Sequence, residues 1–390
     1  MELENGTSDV LQQLDNLLSS SNQSWLFGAG TSIDSGIPLM RALTDRVIAR
    51  ANEAPDGQAL AGIQEELDPH CHIEHILSHI ADRRAIAERC KNKQVQFGKA
   101  KFDLTTLEEF HRRLLCSIAE TVRWGYIAYN GEDRPERVGT SHAPIVTIDN
   151  QTAFVRAVFN HRQTNVDKRR KPVRIFTTNY DTLIEDALAM ECISYWDGFE
   201  GGAIGFRSLR FGDDEPVSGI RAQVIKLHGS IDWHLGSDGR VWRVRDSDVY
   251  PEKTSRVLIY PQSTKYVATQ RDPFASQFDL LRRSLNSTKE NVFAICGYSF
   301  GDEHINQEIQ LAMERRENKT TILAFASKMS GVLNDWANST WCKRLYVITE
   351  KGIFVGGNGP FAQPLKEQTL GWWKLDGVTR LLQSGPEACV

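Results

Sequence analysis

Residues 24–38 read Ser-Trp-Leu-Phe-Gly-Ala-Gly-Thr-Ser-Ile-Asp-Ser-Gly-Ile-Pro. The first four form a short apolar run of the kind that makes a buried strand, and a glycine loop follows at once. Gly28 and Gly30 remove Cβ at a tight turn and allow backbone amides to approach a ligand. Thr31, Ser32 and Ser35 are capping residues that can open a helix. Amides at such a helix start, at the positive end of its dipole, favour an anion such as a pyrophosphate. The bare glycine loop also fits an ordinary strand-to-helix turn, and the dinucleotide fingerprint with its acidic residue about twenty positions on does not match cleanly.

Three later stretches repeat the arrangement. Val173–Thr177 is a β-branched run that leads into Thr178-Asn179-Tyr180-Asp181. Residues 224–227 (VIKL) lead into His228-Gly229-Ser230, and an apolar run over 291–296 leads into Gly297-Tyr298-Ser299-Phe300. Loops at the carboxyl ends of parallel strands are where open α/β sheets bind nucleotides. Asn179 offers both a donor and an acceptor, and so can orient a ribose hydroxyl, a nicotinamide amide or a water. A histidine such as His228 is the side-chain type whose ordinary titration lies near neutrality, and it can serve as a base. Taken singly, Asn179-Tyr180-Asp181 reads as a turn or helix cap, and His228 as a hydrogen-bonded structural residue. Together, each at a strand end, they read as one site.

Candidate strands at 173–177, 223–227, 257–260, 291–296, 321–326 and 344–348 alternate with candidate helices at 181–188, 273–285 and 302–315, and a first helix over 9–20 precedes the glycine loop. This alternation predicts an α/β fold, a Rossmann-like doubly wound parallel sheet. Between the first two motifs the pattern is helical. Residues 72–90 carry apolar side chains at helical spacing, and Thr106 to Glu109 reads as a capping box with Thr106 as cap. Leu107, Phe110, Leu114, Ile118 and Val122 then form one apolar stripe, and 151–161 is a further helix. Residues 41–164 are therefore an inserted helical module, and the Rossmann parts are about 9–40 and 165–350. Residues 196–219 read as a loop or hairpin. The tail, 351–390, reads as a loop around Gly356-Gly357, with Trp372 and Trp373 as packing or subunit contacts.

Composition bounds the function. The chain has 390 residues, 41% hydrophobic and 25% charged, with a net charge of −4; these values are ordinary for a soluble globule and imply no bulk attraction to nucleic acid. No apolar run approaches the roughly 18 residues of a membrane span, and the acidic start lacks a signal peptide's apolar core. Seven scattered cysteines suggest reduced thiols in a cytoplasm. They stand at 71, 90, 116, 192, 296, 342 and 389, and no two are three apart, which excludes a four-thiolate zinc ribbon. His70, Cys71, His72, His75 and His79 cluster, but no HExxH pattern completes them, and they read as a helix face. The basic run Lys168-Arg169-Arg170-Lys171, with Arg174, reads as a solvated loop.

The four motifs GAGTSIDSGIPLMR (28–41), TTNYD (177–181), LHGS (227–230) and GYSF (297–300) resemble those of the sirtuin superfamily. The resemblance implies a single NAD-binding domain over 1–390. It places Gly28, Ala29 and Gly30, with Thr31 and Ser32, along the pyrophosphate. Asn179 and Asp181 would hold the nicotinamide ribose and the nicotinamide, with Thr178 where the family has a ribose-contacting glutamine. His228 would be the catalytic histidine, flanked by Gly229 and Ser230, and Gly297 and Ser299 would contact the adenosine half. Two departures stand out. Protein-deacylating sirtuins carry a zinc ribbon soon after LHG, and they have Asp-Phe where this chain has Leu39-Met40. In both respects the chain is similar to zinc-free sirtuin-like proteins of bacterial anti-phage defence, in particular the Sir2 component of Sir2–HerA systems. That resemblance implies hydrolysis of NAD as substrate, no zinc or other metal, a homo-oligomer, a HerA-type ATPase partner and a cytoplasmic location.

Overall fold

The computed structural model describes residues 5–53, 57–98, 100–131, 135–162, 171–207, 219–245, 253–258, 273–363 and 370–389. Its centre is a nine-stranded sheet. In chain order the strands are β1 (Gln23–Phe27), β2 (Val173–Thr177), β3 (Tyr195–Trp196), β4 (Ala222–Lys226), β5 (Asn291–Cys296), β6 (Thr320–Phe325), β7 (Leu345–Thr349), β8 (Gly352–Val355) and β9 (Asn358–Phe361). In space they run β9-β8-β7-β6-β5-β1-β2-β4-β3. The stretch from β7 to β3 is parallel throughout.

The apolar runs form these strands because both faces are covered. Trp25, Phe27, Ile175 and Val224 face one hydrophobic core, and the intervening Leu26, Phe176 and Ile225 face another. Alternate residues of a strand point to opposite faces, so a strand buried on both sides must be apolar throughout. The first core is closed by helices Asn5–Leu18, Asp149–Arg156, Leu183–Met190 and Leu375–Ser384. The second is closed by Phe274–Leu285, Glu303–Met313 and Gly331–Ala337. Each fully buried Leu or Phe contributes about 1.5–3 kcal/mol relative to exposure. The architecture is the doubly wound α/β sheet that the alternation predicts.

Helices Met40–Asn52, Gly57–Glu66, Ile73–Arg89 and Leu104–Trp124 build a third core around Val47, Leu60, Ile80, Phe110 and Ile118, and it reaches the sheet's loops through Leu183 and Ile231. The last of these helices starts earlier than its capping-box pattern predicts. Asp103 is the cap, and its carboxylate accepts the Thr106 amide at 2.8 Å. Aspartate caps as well as threonine, and here it stands one turn upstream. Helix Asp149–Arg156 packs on the sheet rather than on this helical layer.

Two other expectations are corrected. The tail is not a loop, because β8 and β9 add an antiparallel hairpin to the sheet edge. Gly356 and Gly357, both at positive φ, make its turn, so the glycines marked the turn and concealed the short strands on either side. Trp372 is buried, and its indole donates to the Thr349 carbonyl at 2.7 Å, docking the tail on its own sheet. The strand expected at 257–260 appears as Lys253–Leu258 in a separate antiparallel sheet with Gly229–Gly236, Val241–Val244, Ile204–Arg207 and Phe199–Gly201; residues 259 and 260 lie outside the described residues, as do 168–170 of the basic run. Among the described residues no helix is long and apolar enough to cross a membrane.

The loops after β1 and β5 touch backbone to backbone. A Cβ on Gly28 would lie 2.5 Å from Tyr298 Cα and 2.6 Å from Gly297 O, and one on Gly30 would lie 2.8 Å from Gly297 Cα. A Cβ on Gly297 would in turn lie 2.4 Å from the Thr31 amide nitrogen, at a φ of +64°. Backbone cannot yield as a flexible side chain can. Gly28→Ala is therefore expected to lower unfolding free energy by about 2–3 kcal/mol, measured by denaturant titration. A loss within experimental error of zero would show that the loops can separate freely.

Candidate active site

The four motifs converge at the carboxyl ends of β1, β2, β4 and β5. β1 is the switch point of the sheet, since β2 lies on one side of it and β5 on the other, and such a crevice is where doubly wound sheets bind ligands.

After β1 no α-helix opens at once. Two short 3-10 turns, Ala29–Thr31 and Ile33–Ser35, come first, and the first α-helix of this region begins at Met40. Gly36, at φ +84°, ends the second turn. The hydroxyls expected to cap a helix turn inward instead. Thr31 Oγ1 donates to Gly28 O at 2.9 Å, Ser32 Oγ to Asp181 Oδ2 at 2.8 Å, and Ser35 Oγ to Gln151 Oε1 at 2.9 Å. Gln151 in turn donates to Thr31 O at 2.9 Å. The amides of Gly28 and Gly30 donate to Cys296 O at 3.0 Å and Gly297 O at 2.8 Å. Those two amides are thus bonded within the chain. The exposed Ala29 lies between them.

The loop after β2 carries the centre of the site. Asn179 and Asp181 are buried. Asn179 Nδ2 donates to Thr31 Oγ1 at 3.2 Å and Ser32 Oγ at 3.1 Å, while its Oδ1 is buried with no hydrogen-bond partner. Asp181 Oδ1 accepts the Leu183 amide at 3.1 Å. Thr31, Ser32, Asn179 and Asp181 share a narrow polar crevice with Phe27, Gln151 and Thr177. Thr178 stands beside it, and its amide donates to Phe27 O at 3.0 Å. Tyr180 reaches the helical layer, donating its hydroxyl to Glu74 Oε1 at 2.8 Å.

Beneath this loop lies a pair that the motif reading missed. Lys226, buried at the end of β4, donates its Nζ to the Asp181 carbonyl and sits 3.2 Å from Glu185 Oε1. Burial pushes the Glu185 carboxyl up to about 7, against the pull of the Lys226 ammonium. The signal was present in VIKL, where a lysine interrupts a strand that is otherwise apolar.

The loop after β4 turns at Gly229 (φ +85°), and Ser230 Oγ donates to Tyr180 O at 3.3 Å. His228 is buried. Its Nε2 lies 3.3 Å from His304 Nε2 and 3.8 Å from Asp302 Oδ1. All three ligand atoms fall within 4.8 Å of one another, although the sequence reading held no metal ligand set and passed over His304. On the β5 loop, Gly297 is clamped against Gly30, while Ser299 is exposed and accepts the Gly301 amide at 3.2 Å. The histidine cluster upstream is occupied structurally: His75 Nδ1 accepts the His72 amide at 3.2 Å, and His79 Nε2 meets Glu66 Oε2 at 2.8 Å.

Lys226→Ala is expected to destabilise the fold by about 2–4 kcal/mol, because it leaves the buried Glu185 carboxyl and the Asp181 carbonyl without their partner. The folded-state pKa of Glu185 is raised above its ordinary 4.5. Its contribution to stability is therefore fully present below about 4.5 and is lost as pH rises through about 7. Glu185→Gln should flatten that part of the stability–pH curve, read by denaturant titration across the range, and an unchanged curve would remove Glu185 as its source.

A family model described as the SIR2-like domain matches residues 173–344, less than half of the chain. The match runs from the start of β2 to the residue before β7. It includes Asn179, Asp181, His228, Gly297 and Ser299, and leaves the Gly28 loop outside. No curated protein matches the chain.

Proposed function

We propose that this chain, similar to SIR2-like domains from β2 onward, hydrolyses NAD to nicotinamide and ADP-ribose. The observation that carries the reading is the Asn179 carboxamide. Its amide hydrogens are spent on Thr31 and Ser32, while its oxygen is buried and unbonded. A buried acceptor without a donor costs about 1–3 kcal/mol, which a ribose hydroxyl or a water would recover. The carboxamide is already fixed by two donated bonds, so it is organised before substrate arrives.

In the reaction water adds at the ribose C1′ and the C1′–N bond breaks. Nicotinamide leaves as a neutral molecule with the bonding pair, and one proton is released. Positive charge develops on the ribose in the transition state. Asn179 fixes the sugar and the water. His228 takes the proton from a ribose hydroxyl or from the water. Asp181 has spare acceptor capacity beyond its bonds to Ser32 and Leu183, and holds the nicotinamide carboxamide N–H. The absence of Asp-Phe at Leu39-Met40 and of paired CxxC cysteines weighs against acyl-lysine chemistry.

The same resemblance supports a role in anti-phage defence in the bacterial cytoplasm, where NAD depletion starves the infected cell. It also supports a homo-oligomer working with a HerA-type ATPase. The helical layer and the tail are the surfaces we assign to those contacts.

NAD turnover by the wild-type protein and by Asn179→Ala and His228→Ala, alone and with a HerA-type ATPase, tests the reading, with products resolved by chromatography. Wild type should release nicotinamide and ADP-ribose, and each variant should lose about 10²-fold or more. A folded Asn179→Ala protein that still cleaves NAD would overturn the assignment. Wild type that binds NAD in calorimetry without product would make the domain a nucleotide sensor.

A further inference from the structure

The geometry points to a divalent-cation site of the zinc class, formed by His228, Asp302 and His304, whose occupancy silences the NAD-cleaving base. The inference rests in part on the hydrolase reading, since only that reading makes His228 a base. The site itself rests on placement alone.

His228 comes from the end of β4. Asp302 is the cap residue of helix Glu303–Met313, and His304 lies in that helix's first turn. The two elements meet so that two imidazole nitrogens stand 3.3 Å apart, with a carboxylate oxygen 3.8 Å from one of them. Zinc–nitrogen bonds of about 2.0–2.1 Å in a tetrahedral shell place two ligand nitrogens about 3.3 Å apart. The observed separation is that edge length, so the two nitrogens keep their spacing and the rings need only turn their lone pairs from each other towards a shared ion. Asp302 has to close on both nitrogens: its Oδ1 lies 3.8 Å from His228 Nε2, and the three ligand atoms lie within 4.8 Å of one another, so the carboxylate has to swing in to complete the shell. The Phe278 ring packs against His304 at a centroid distance of 5.4 Å and restrains its orientation.

The donor set selects the ion. Two imidazoles and one carboxylate suit Zn²⁺, Co²⁺ or Ni²⁺ and disfavour Mg²⁺ and Ca²⁺, which take oxygen shells. Three protein ligands leave a fourth position for water. Coordination uses the Nε2 lone pair of His228, the same pair a base uses to accept a proton. A bound ion and a working base are therefore mutually exclusive, and the enzyme is held off until the ion leaves. No thiolate takes part, so the site is unrelated to a zinc ribbon.

The test begins with full-length protein treated with chelator and then titrated with Co²⁺, whose visible d–d bands report tetrahedral coordination, followed by displacement with Zn²⁺. One equivalent should bind at micromolar concentration or tighter. His304→Ala and Asp302→Asn should each weaken binding by at least about 10-fold, with circular dichroism confirming that both variants are folded. In parallel, Zn²⁺ should stop NAD cleavage by the wild type and chelator should restore it. No stoichiometric band, or equal binding by wild type and both folded variants, overturns the site. Binding that leaves NAD cleavage unchanged, or raises it, overturns the silencing. If the metal-free protein cleaves no NAD, the hydrolase reading fails, while the Co²⁺ bands and their loss in the variants still decide the site.

Discussion

The backbone contact between the loops after β1 and β5 is the constraint on which the rest of the site depends. Gly28 and Gly30 on one side and Gly297 on the other approach too closely for any Cβ. Two amide-to-carbonyl bonds, Gly28 to Cys296 and Gly30 to Gly297, close the contact. With the β1 loop held there, its 3-10 turns can only direct Thr31 and Ser32 towards the loop after β2. Those two hydroxyls then receive the Asn179 amide, and Ser32 bonds Asp181. Lys226 fixes the Asp181 carbonyl from below. Each loop is thus held by its neighbour rather than by its own sequence, and the Asn179 oxygen keeps its position because three strands agree on it.

After His228 the chain must turn sharply, and Gly229 at positive φ allows it. The resemblance places a thiolate zinc ribbon in this part of the chain in the deacylating enzymes. Here Gly229–Gly236 instead enters an antiparallel sheet around Phe199, Trp233 and Phe274. Arg243 forms a buried ion pair with Asp197 and also donates to Gly202 O. Three large aromatics bury enough apolar surface to hold a small sheet together.

The fold was legible because strands buried on both faces leave continuous apolar runs, as in β2 and β5, and because each run ended in a loop with distinctive chemistry. Asn179 and Asp181 could be picked out on that ground. What the sequence could not convey was why the residues were needed. By sequence a glycine makes room for a ligand, yet at Gly28 and Gly30 the close neighbour is another loop nearly 270 residues away. Thr31, Ser32 and Ser35 read as caps, which are local, yet two of the three bonds they donate run to Asp181 and Gln151, and Thr31 and Ser32 accept from Asn179. Asp103 displaced Thr106 as cap because two good capping residues lay within one turn. His304 carried no local signal at all, since its importance comes from the crossover that brings the start of its helix against the end of β4. Long-range pairings of this kind leave no periodicity.

The arrangement divides by chemistry. Around Asn179 the contacts are mostly neutral, made by a carboxamide and hydroxyls, with Asp181 tied down by Ser32 and Leu183. Around His228 the neighbours are ionisable, a second imidazole and a carboxylate. Neutral bonds hold their geometry across pH and suit the fixing of a sugar. A cluster of ionisable groups changes its internal hydrogen bonds with every proton or cation it gains, and suits the movement of a proton and its control. The proposed cleavage, which needs a placed ribose and one mobile proton, would draw on both halves, and these lie on different strands, Asn179 after β2 and His228 after β4. The two halves meet through Lys226 and Ser230, which bond the Asp181 and Tyr180 carbonyls of the β2 loop, while the His228 side chain faces away from those bonds towards His304 and Asp302.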